Sequence, residues 1–426
     1  MKTLSISKDL LYIIYYLLLL LLMFSQMKPN VEISMNIRMV FFVLTFLPVV
    51  FRIDLLPFVF LCFYVISATS FTQILPSQSV YYIVLVFVFY FLYKKKTNFL
   101  WKALFLFLYF FICSLFHLDF INEILWWLIF IFLADMINSK KDLQMIFFAF
   151  LNISLFLSIL YLIYREEFLV QYGKTSLDVE YSGWTNPNVF GATIGAGGVL
   201  AMSYLTNFLK FERNKFFTIL SIVVLLLSFI VLALNSSRGS LLAFALPIVI
   251  MLFISKLNLW IKMITIFVVI GFLVLLLQNN IFDLLFVRLN EDSMATGGSR
   301  TVIWENKLEL FFYQSNIFEL FLGIGKTSTT ELGGDLSTHN DIITSFVGFG
   351  LIGFLLFIYY FILYPIKVAS KEARTLIILL SMYIVIECCV LEPVFRAIPF
   401  FMMFYFFVLK YSIIEKSYTS LKPFNS

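Results

Sequence analysis

The sequence predicts an all-α polytopic membrane protein, with about 12–14 transmembrane helices and a large extracytoplasmic loop containing short helices. Three observations predict it. The chain is 62% hydrophobic and only 13% charged, about half the roughly 25% charge of a soluble domain, so it has too little polar surface to face water. Its mean hydropathy is +0.98. Runs such as 17–24 and 222–234 are apolar without alternation, which fits helices rather than the alternating strands of a transmembrane barrel.

A helix crosses the hydrocarbon with about 20 apolar residues. Spans are predicted near 10–25, 36–51, 53–71, 79–93, 99–116, 121–137, 143–164, 188–208, 216–235, 239–255, 259–277, 342–363, 374–391 and 395–414. Only Arg52 separates the second from the third, so these two read as a broken or re-entrant pair, and the count falls between about twelve and about fourteen. The first apolar run follows Lys2 and Lys8 without a small-residue cleavage site, which predicts an uncleaved first helix.

Basic residues orient the spans, because cytoplasmic connections carry an excess of Lys and Arg. Lys94–Lys96, Lys140/Lys141, Lys210/Arg213/Lys215, Lys256/Lys262 and Lys367/Lys371/Arg374 occupy every second connection, and Lys2, Lys8, Arg52, Lys410, Lys416 and Lys422 keep the register. Both termini are therefore predicted to be cytoplasmic. Connections 72–78, 117–120, 165–187, 235–239, 278–341 and 391–395 are predicted to face outward. The chain reads as one membrane domain over 1–426, with a large extracytoplasmic loop at 278–341 and a second at 165–187. The net charge of +5 is modest and carries no further argument.

Long connections are where function concentrates, although some are spacers. Within 278–341, Trp304 to Phe312 reads as a helix against the membrane surface, because Trp304, Leu308 and Phe311/Phe312 share a face. Leu322-Gly-Ile-Gly325 reads as a tight turn, with close approach of backbone to a ligand as the other reading. Cys62, Cys113, Cys388 and Cys389 lie in apolar spans with no C-x-x-C pair, and read as core residues, neither disulfides nor metal ligands.

Four outward connections end in polar sequence at a helix start: Asn186-Pro187-Asn188, Asn235-Ser236-Ser237-Arg238-Gly239, Thr338-His339-Asn340-Asp341 and Glu392-Pro393-Val394-Phe395-Arg396. A helix N-terminus offers free N–H groups and about half a positive charge. Asn186, Ser236/Ser237 and Asn340/Asp341 are N-capping chemistry. Brought together, these starts and Arg238, Arg300 and Arg396 would make an anion site suited to phosphate, with Asn188, Ser237 and Asn340 in support. The plain reading stands beside it: every such helix begins somewhere, and caps are ordinary. Arginine at membrane depth costs about 2.5–3.5 kcal/mol, so Arg238 and Arg396 carry weight, against snorkelling or pairing with Glu387 or Glu392.

His339 is one of two histidines. A helix start opposes a second positive charge and favours neutral imidazole. Such a group accepts a proton from a substrate hydroxyl; a structural polar contact is the other reading. His117, beside Asp119, reads as an interfacial residue. No H-E-x-x-H or D-x-D motif supports a metal, and no cofactor is expected. A transporter using Glu387 and Glu392 as coupling groups stays open, although no inverted repeat is apparent.

From about 180 to 365 the chain resembles the O-antigen ligase and polymerase family of polysaccharide-assembly membrane proteins. The resemblance is carried, in order, by Asn186-Pro-Asn188 before the small-residue stretch Gly191–Ala201, by Ser236-Ser-Arg-Gly-Ser240, by Gly298-Ser-Arg-Thr-Val-Ile-Trp304, by Phe321-Leu-Gly-Ile-Gly325, by Thr338-His-Asn340 and by Val347-Gly-Phe-Gly-Leu-Ile-Gly353. Arg396 resembles a late outer arginine of the family, and the first 170 residues match in hydropathy alone. The resemblance implies metal-independent glycosyl transfer at the outer face of a bacterial inner membrane. The donor would be an undecaprenyl-diphosphate-linked oligosaccharide in membrane lipid. Arg238, Arg300 and Arg396 would hold the diphosphate, and His339 would activate the acceptor hydroxyl. It implies a chain-length regulator and a flippase as further partners, and no nucleic acid. A polymerase of O-antigen or capsule is expected, with a ligase as the alternative and a lipid-linked saccharide transporter as the third reading.

Overall fold

The computed structural model describes residues 35–69, 101–117, 121–163, 187–234, 238–260, 262–263, 300–332, 338, 340–391, 394–395 and 399–420, with isolated positions 15–16, 18–19, 22, 86 and 88–90. Among them every regular element is helical. Hydrocarbon offers no partner for backbone N–H and C=O, so an apolar run satisfies them within itself. The predicted spans near 10–25, 79–93 and 259–277 lie largely outside the described residues, as do most of 165–187 and residues 278–299.

In chain order the helices are α1 (Met35–Phe51), α2 (Leu56–Thr69), α3 (Trp101–His117), α4 (Ile121–Asp135), α5 (Lys140–Ile163), α6 (Pro187–Leu205), α7 (Lys215–Leu234) and α8 (Arg238–Ile254). Then follow α9 (Arg300–Gln314), α10 (Ile317–Leu322), α11 (Lys326–Glu331), α12 (Asp341–Phe357), α13 (Tyr364–Val368), α14 (Arg374–Val390) and α15 (Pro399–Ser420). Among the described residues, four segments are long and apolar enough to cross a membrane: Lys140–Ile163, Asn188–Leu205, Lys215–Leu234 and Asp341–Val368. Shorter apolar helices accompany them, α8 among them. The expected break at Arg52 is present: its φ of −140° leaves the helical region, and its guanidinium binds Asp54.

The surface is that of a protein in lipid. On α7, Val224, Val231 and Leu232 are buried while Ile219, Ile222 and Leu226 are exposed. In water such exposure forgoes about 1.5–3 kcal/mol per side chain; in hydrocarbon it does not. Cys62, Cys113 and Cys388 are buried and Cys389 half-buried, all as free thiols, as expected of core residues.

At the centre, α6 packs against α5, α7 and α8. Its small residues allow this, as small residues do between membrane helices. A Cβ at Gly197 would lie 1.9 Å from Ser154 Oγ on α5, and one at Gly198 2.4 Å from the Phe244 ring on α8. Hydroxyls use the proximity: Ser154 donates to the Thr193 carbonyl at 3.3 Å and Ser228 to that of Ile194 at 3.2 Å.

Two expectations change, for the spans 342–363 and 395–414, and two gain detail. The predicted span 342–363 is broken at Gly350, whose φ is 68°, and continues through a π-helical turn, Ile358–Leu363, into α13. The tight turn at Leu322–Gly325 exists, but its close approach is to protein: Ile324 N–H meets Val347 O at 3.1 Å, and Gly325 N–H meets Gly348 O at 2.9 Å. The helix at Trp304–Phe312 exists as α9, but Phe311 on its apolar face packs on Phe346 of α12, leaving Phe312 and Tyr313 exposed. The predicted span 395–414 starts later, because Val394 and Phe395 form a turn and α15 begins at Pro399.

Lysine-bearing connections gather at one end of the bundle. Lys140 pairs with Glu415 at 2.7 Å. The Lys210 N–H donates to Tyr411 Oη at 3.0 Å, and Arg52, Asp54, Lys141 and Asp142 line one small cavity. These are connections that the Lys and Arg alternation puts on the same side.

Candidate active site

The opposite end holds the polar helix starts. Ser240, in the first turn of α8, donates its hydroxyl to the Asn188 carbonyl at 3.1 Å and thereby joins the starts of α6 and α8. The same hydroxyl lies 3.5 Å from Glu387 Oε2 on α14. Gly239 sits against α14 closely enough that a Cβ there would be 2.6 Å from Val390. Glu387 is fully buried, and its Oε1 has no hydrogen-bond partner among the described residues. Tyr383, one turn earlier on α14, donates its hydroxyl to the Ala192 carbonyl of α6. A polar column therefore runs from α6 through α8 to α14 beneath the helix starts.

The start of α12 closes the arrangement. Asn340 caps the helix as its sequence predicts, taking the N–H groups of Ile342 and Ile343 at 2.9 and 3.2 Å. Thr338 shares a 2.6 Å hydrogen bond with Thr344, and its carbonyl accepts the Trp304 indole N–H at 2.7 Å. That last contact docks the first turn of α9, which opens at Arg300, onto the segment 338–341. Asp341 is fully buried and accepts the backbone N–H groups of Val394 and Phe395. Lys326, at the start of α11, donates to the Phe395 carbonyl at 2.7 Å.

These contacts set Asn188 beside the start of α8 and tie α9 to the segment that leads into Asn340. Arg238 is the first residue of α8 and Arg300 the first of α9, although their side chains lie outside the described residues. Asn188 and Asn340 are both at the joined starts. Ser237, His339 and Arg396 lie outside the described residues; His339 sits in the chain between Thr338 and Asn340, and Arg396 follows Phe395. Sequence reasoning missed Lys307, Lys326, Asp341 as an acceptor, and the Glu387–Ser240 contact. A signal existed for Lys307: it is three residues after Trp304 and four before Phe311, on the same helix face.

The fold and this end of it define a class: a polytopic α-helical membrane protein with polar helix starts at one end of its bundle. A model of the family described as O-Antigen ligase matches residues 222–358, from α7 through α12. The match supports the O-antigen polymerase/ligase family to which the motifs point. Members of that family are glycosyl-transferring enzymes of polysaccharide assembly. No curated protein matches the chain.

Proposed function

We propose that the protein is a polysaccharide polymerase, of O-antigen or capsule, acting at the outer face of the bacterial inner membrane. It moves a growing glycan from undecaprenyl diphosphate onto a lipid-linked repeat unit, without a metal. The acceptor hydroxyl oxygen attacks the anomeric carbon of the donor sugar. Its proton passes to the His339 imidazole, and the bond from that carbon to the diphosphate oxygen breaks. Negative charge grows on the leaving diphosphate. Arg238, Arg300 and Arg396, with the α6, α8 and α12 starts, stabilise it as groups already oriented. Asn188, Ser237 and Asn340 support the site.

The observation that carries the reading is that polar helix starts at one end pair up, α6 with α8 through Ser240–Asn188 and α9 with the segment before α12 through Trp304–Thr338, while Asp341 ties α12 to the Val394/Phe395 turn. The Lys and Arg alternation assigns that end to the outside and both termini to the cytoplasm. Lipid-exposed helices would admit the polyprenyl tail from the side. A chain-length regulator and a flippase are the partners such a reaction calls for.

One observation favours a second reading: the matched family is described as O-Antigen ligase. A ligase moves the finished glycan to lipid A core or another acceptor, with the same donor chemistry. Deleting the gene and resolving the cell's glycans on a gel separates them. The polymerase reading expects single repeat units on the final acceptor. Long chains left on the lipid carrier would overturn it in favour of the ligase.

A further inference from the structure

Val394 and Phe395 are buried in a turn outside any helix, where no ladder takes their backbone groups. Each group has a partner all the same. Asp341 accepts the Val394 N–H through Oδ2 at 2.9 Å and the Phe395 N–H through Oδ1 at 3.1 Å. The Trp127 indole of α4 donates to the Val394 carbonyl at 2.9 Å. Lys326 donates from Nζ to the Phe395 carbonyl at 2.7 Å. The Phe395 ring is held too, stacked on Phe349 at 5.1 Å and edge-on to Phe110 at 5.5 Å.

The backbone N–H and C=O groups of two adjacent residues are therefore gripped by side chains from α4, α11 and α12. Buried charge is costly in a membrane protein and is usually kept for a purpose. Here a carboxylate and an ammonium both end on one two-residue turn. Asp341 has both oxygens occupied by backbone N–H groups, and it sits at the first position of α12, where the helix dipole favours a negative group. It is two residues beyond His339 in the chain, and what it grips is immediately before Arg396. We infer that Asp341 is a positioning residue that locks the start of α12 to the turn immediately preceding Arg396 in the chain, with Lys326 and Trp127 completing the clamp. The inference rests on the reading that Arg396 holds the diphosphate and His339 serves the acceptor hydroxyl. A misplacement of about 1 Å in such a constellation costs on the order of 100-fold in rate, so a fixed spacing between the two is worth a buried ion.

The test uses the full chain in lipid nanodiscs, with inorganic pyrophosphate as the probe. Hydrogen exchange at the Val394 and Phe395 amides reads the clamp, and pyrophosphate affinity reads the site. Asp341→Ala should speed exchange at both amides while α14 stays protected. It should also weaken pyrophosphate binding by about 10- to 100-fold, the range for groups that orient a ligand's holder. Asp341→Ala combined with Arg396→Ala should bind no worse than Arg396→Ala alone. Asp341→Asn, nearly the same shape, and Lys326→Met, which leaves the carboxylate in place, serve if the alanine variant fails to fold; each should speed exchange and weaken binding. Unchanged exchange would overturn the clamp. Faster exchange with wild-type binding would make it a purely structural turn and overturn the positioning role alone. If the wild type does not bind pyrophosphate, or Arg396→Ala binds it equally well, the diphosphate reading fails and the positioning role falls with it.

Discussion

Lys307 lies on α9 between Trp304 and Phe311 and is only 1% exposed. Its Nζ donates to the Thr329 carbonyl at 2.6 Å and the Leu332 carbonyl at 2.8 Å. Those carbonyls end α11, where a helix leaves acceptors unpaired and carries partial negative charge. Lys307 is thus the C-terminal cap of another helix, supplied from outside it. Lys307→Met keeps the length and removes the donor, leaving buried carbonyls unmet. It should destabilise the protein by about 1.5–3 kcal/mol, seen as a lower thermal unfolding midpoint of the purified chain; an unchanged midpoint would contradict the capping role. What was legible in the sequence at this scale was local. Asn340 caps α12 because Asn before an apolar run is a cap wherever it occurs. Arg238 opens a helix, as the polar-to-apolar switch there implies, whereas α9 starts at Arg300, four residues before the Trp304 start read from the sequence. The partners of Asp341, Lys326 and Trp127 were not legible. They lie 53 to 267 positions away, and no periodicity in one segment names its neighbour.

Among the elements, α12 shows how glycine breaks an apolar helix. Gly350 has φ +68°, and a Cβ there would lie 2.3 Å from the Phe321 carbonyl carbon and oxygen. Gly323 answers from α10's end: with φ +83°, its Cβ would meet Gly348 O at 2.2 Å. Two backbones touch because neither carries a side chain. Gly350→Ala adds about 1–2 kcal/mol of left-handed strain to that clash. It should lower the yield of folded protein and its unfolding midpoint, measured by size-exclusion chromatography and a thermal melt; wild-type behaviour in both would show that α12 tolerates a straight path. Hydropathy made the helices legible and most of their ends within a few residues. It could not show the kink, since glycine in an apolar run is as compatible with an unbroken span. Nor could it show that Phe395 belongs to a turn, because that aromatic ring is as apolar as those of the helix that follows. For α9 the apolar stripe shows that part of the helix is covered, here by Phe346 of α12, but does not name that partner.

For the molecule as a whole, alternating basic connections and apolar spans describe a bundle with unlike ends. Basic connections gather at one, where Lys140 pairs with Glu415, and polar helix starts lie at the other, with α12 capped by Asn340. The sequence held the ingredients of the second end but left open whether the bundle would bring them together. Ser240–Asn188 joins the starts of α6 and α8, Trp304–Thr338 ties α9 to the segment before α12, and Asp341–Phe395 ties α12 to the turn after α14, each through a side chain bonded to backbone. The proposed glycosyl transfer from a lipid-borne diphosphate assigns roles to Arg238, Arg300, Arg396 and His339, which can be removed one at a time. The most direct measurement is glycan chain length on a gel from cells carrying Arg300→Ala or His339→Ala, alongside an immunoblot for the protein in the membrane fraction. The account predicts loss of long-chain glycan in both with the protein still present; wild-type chain lengths in both variants would contradict it.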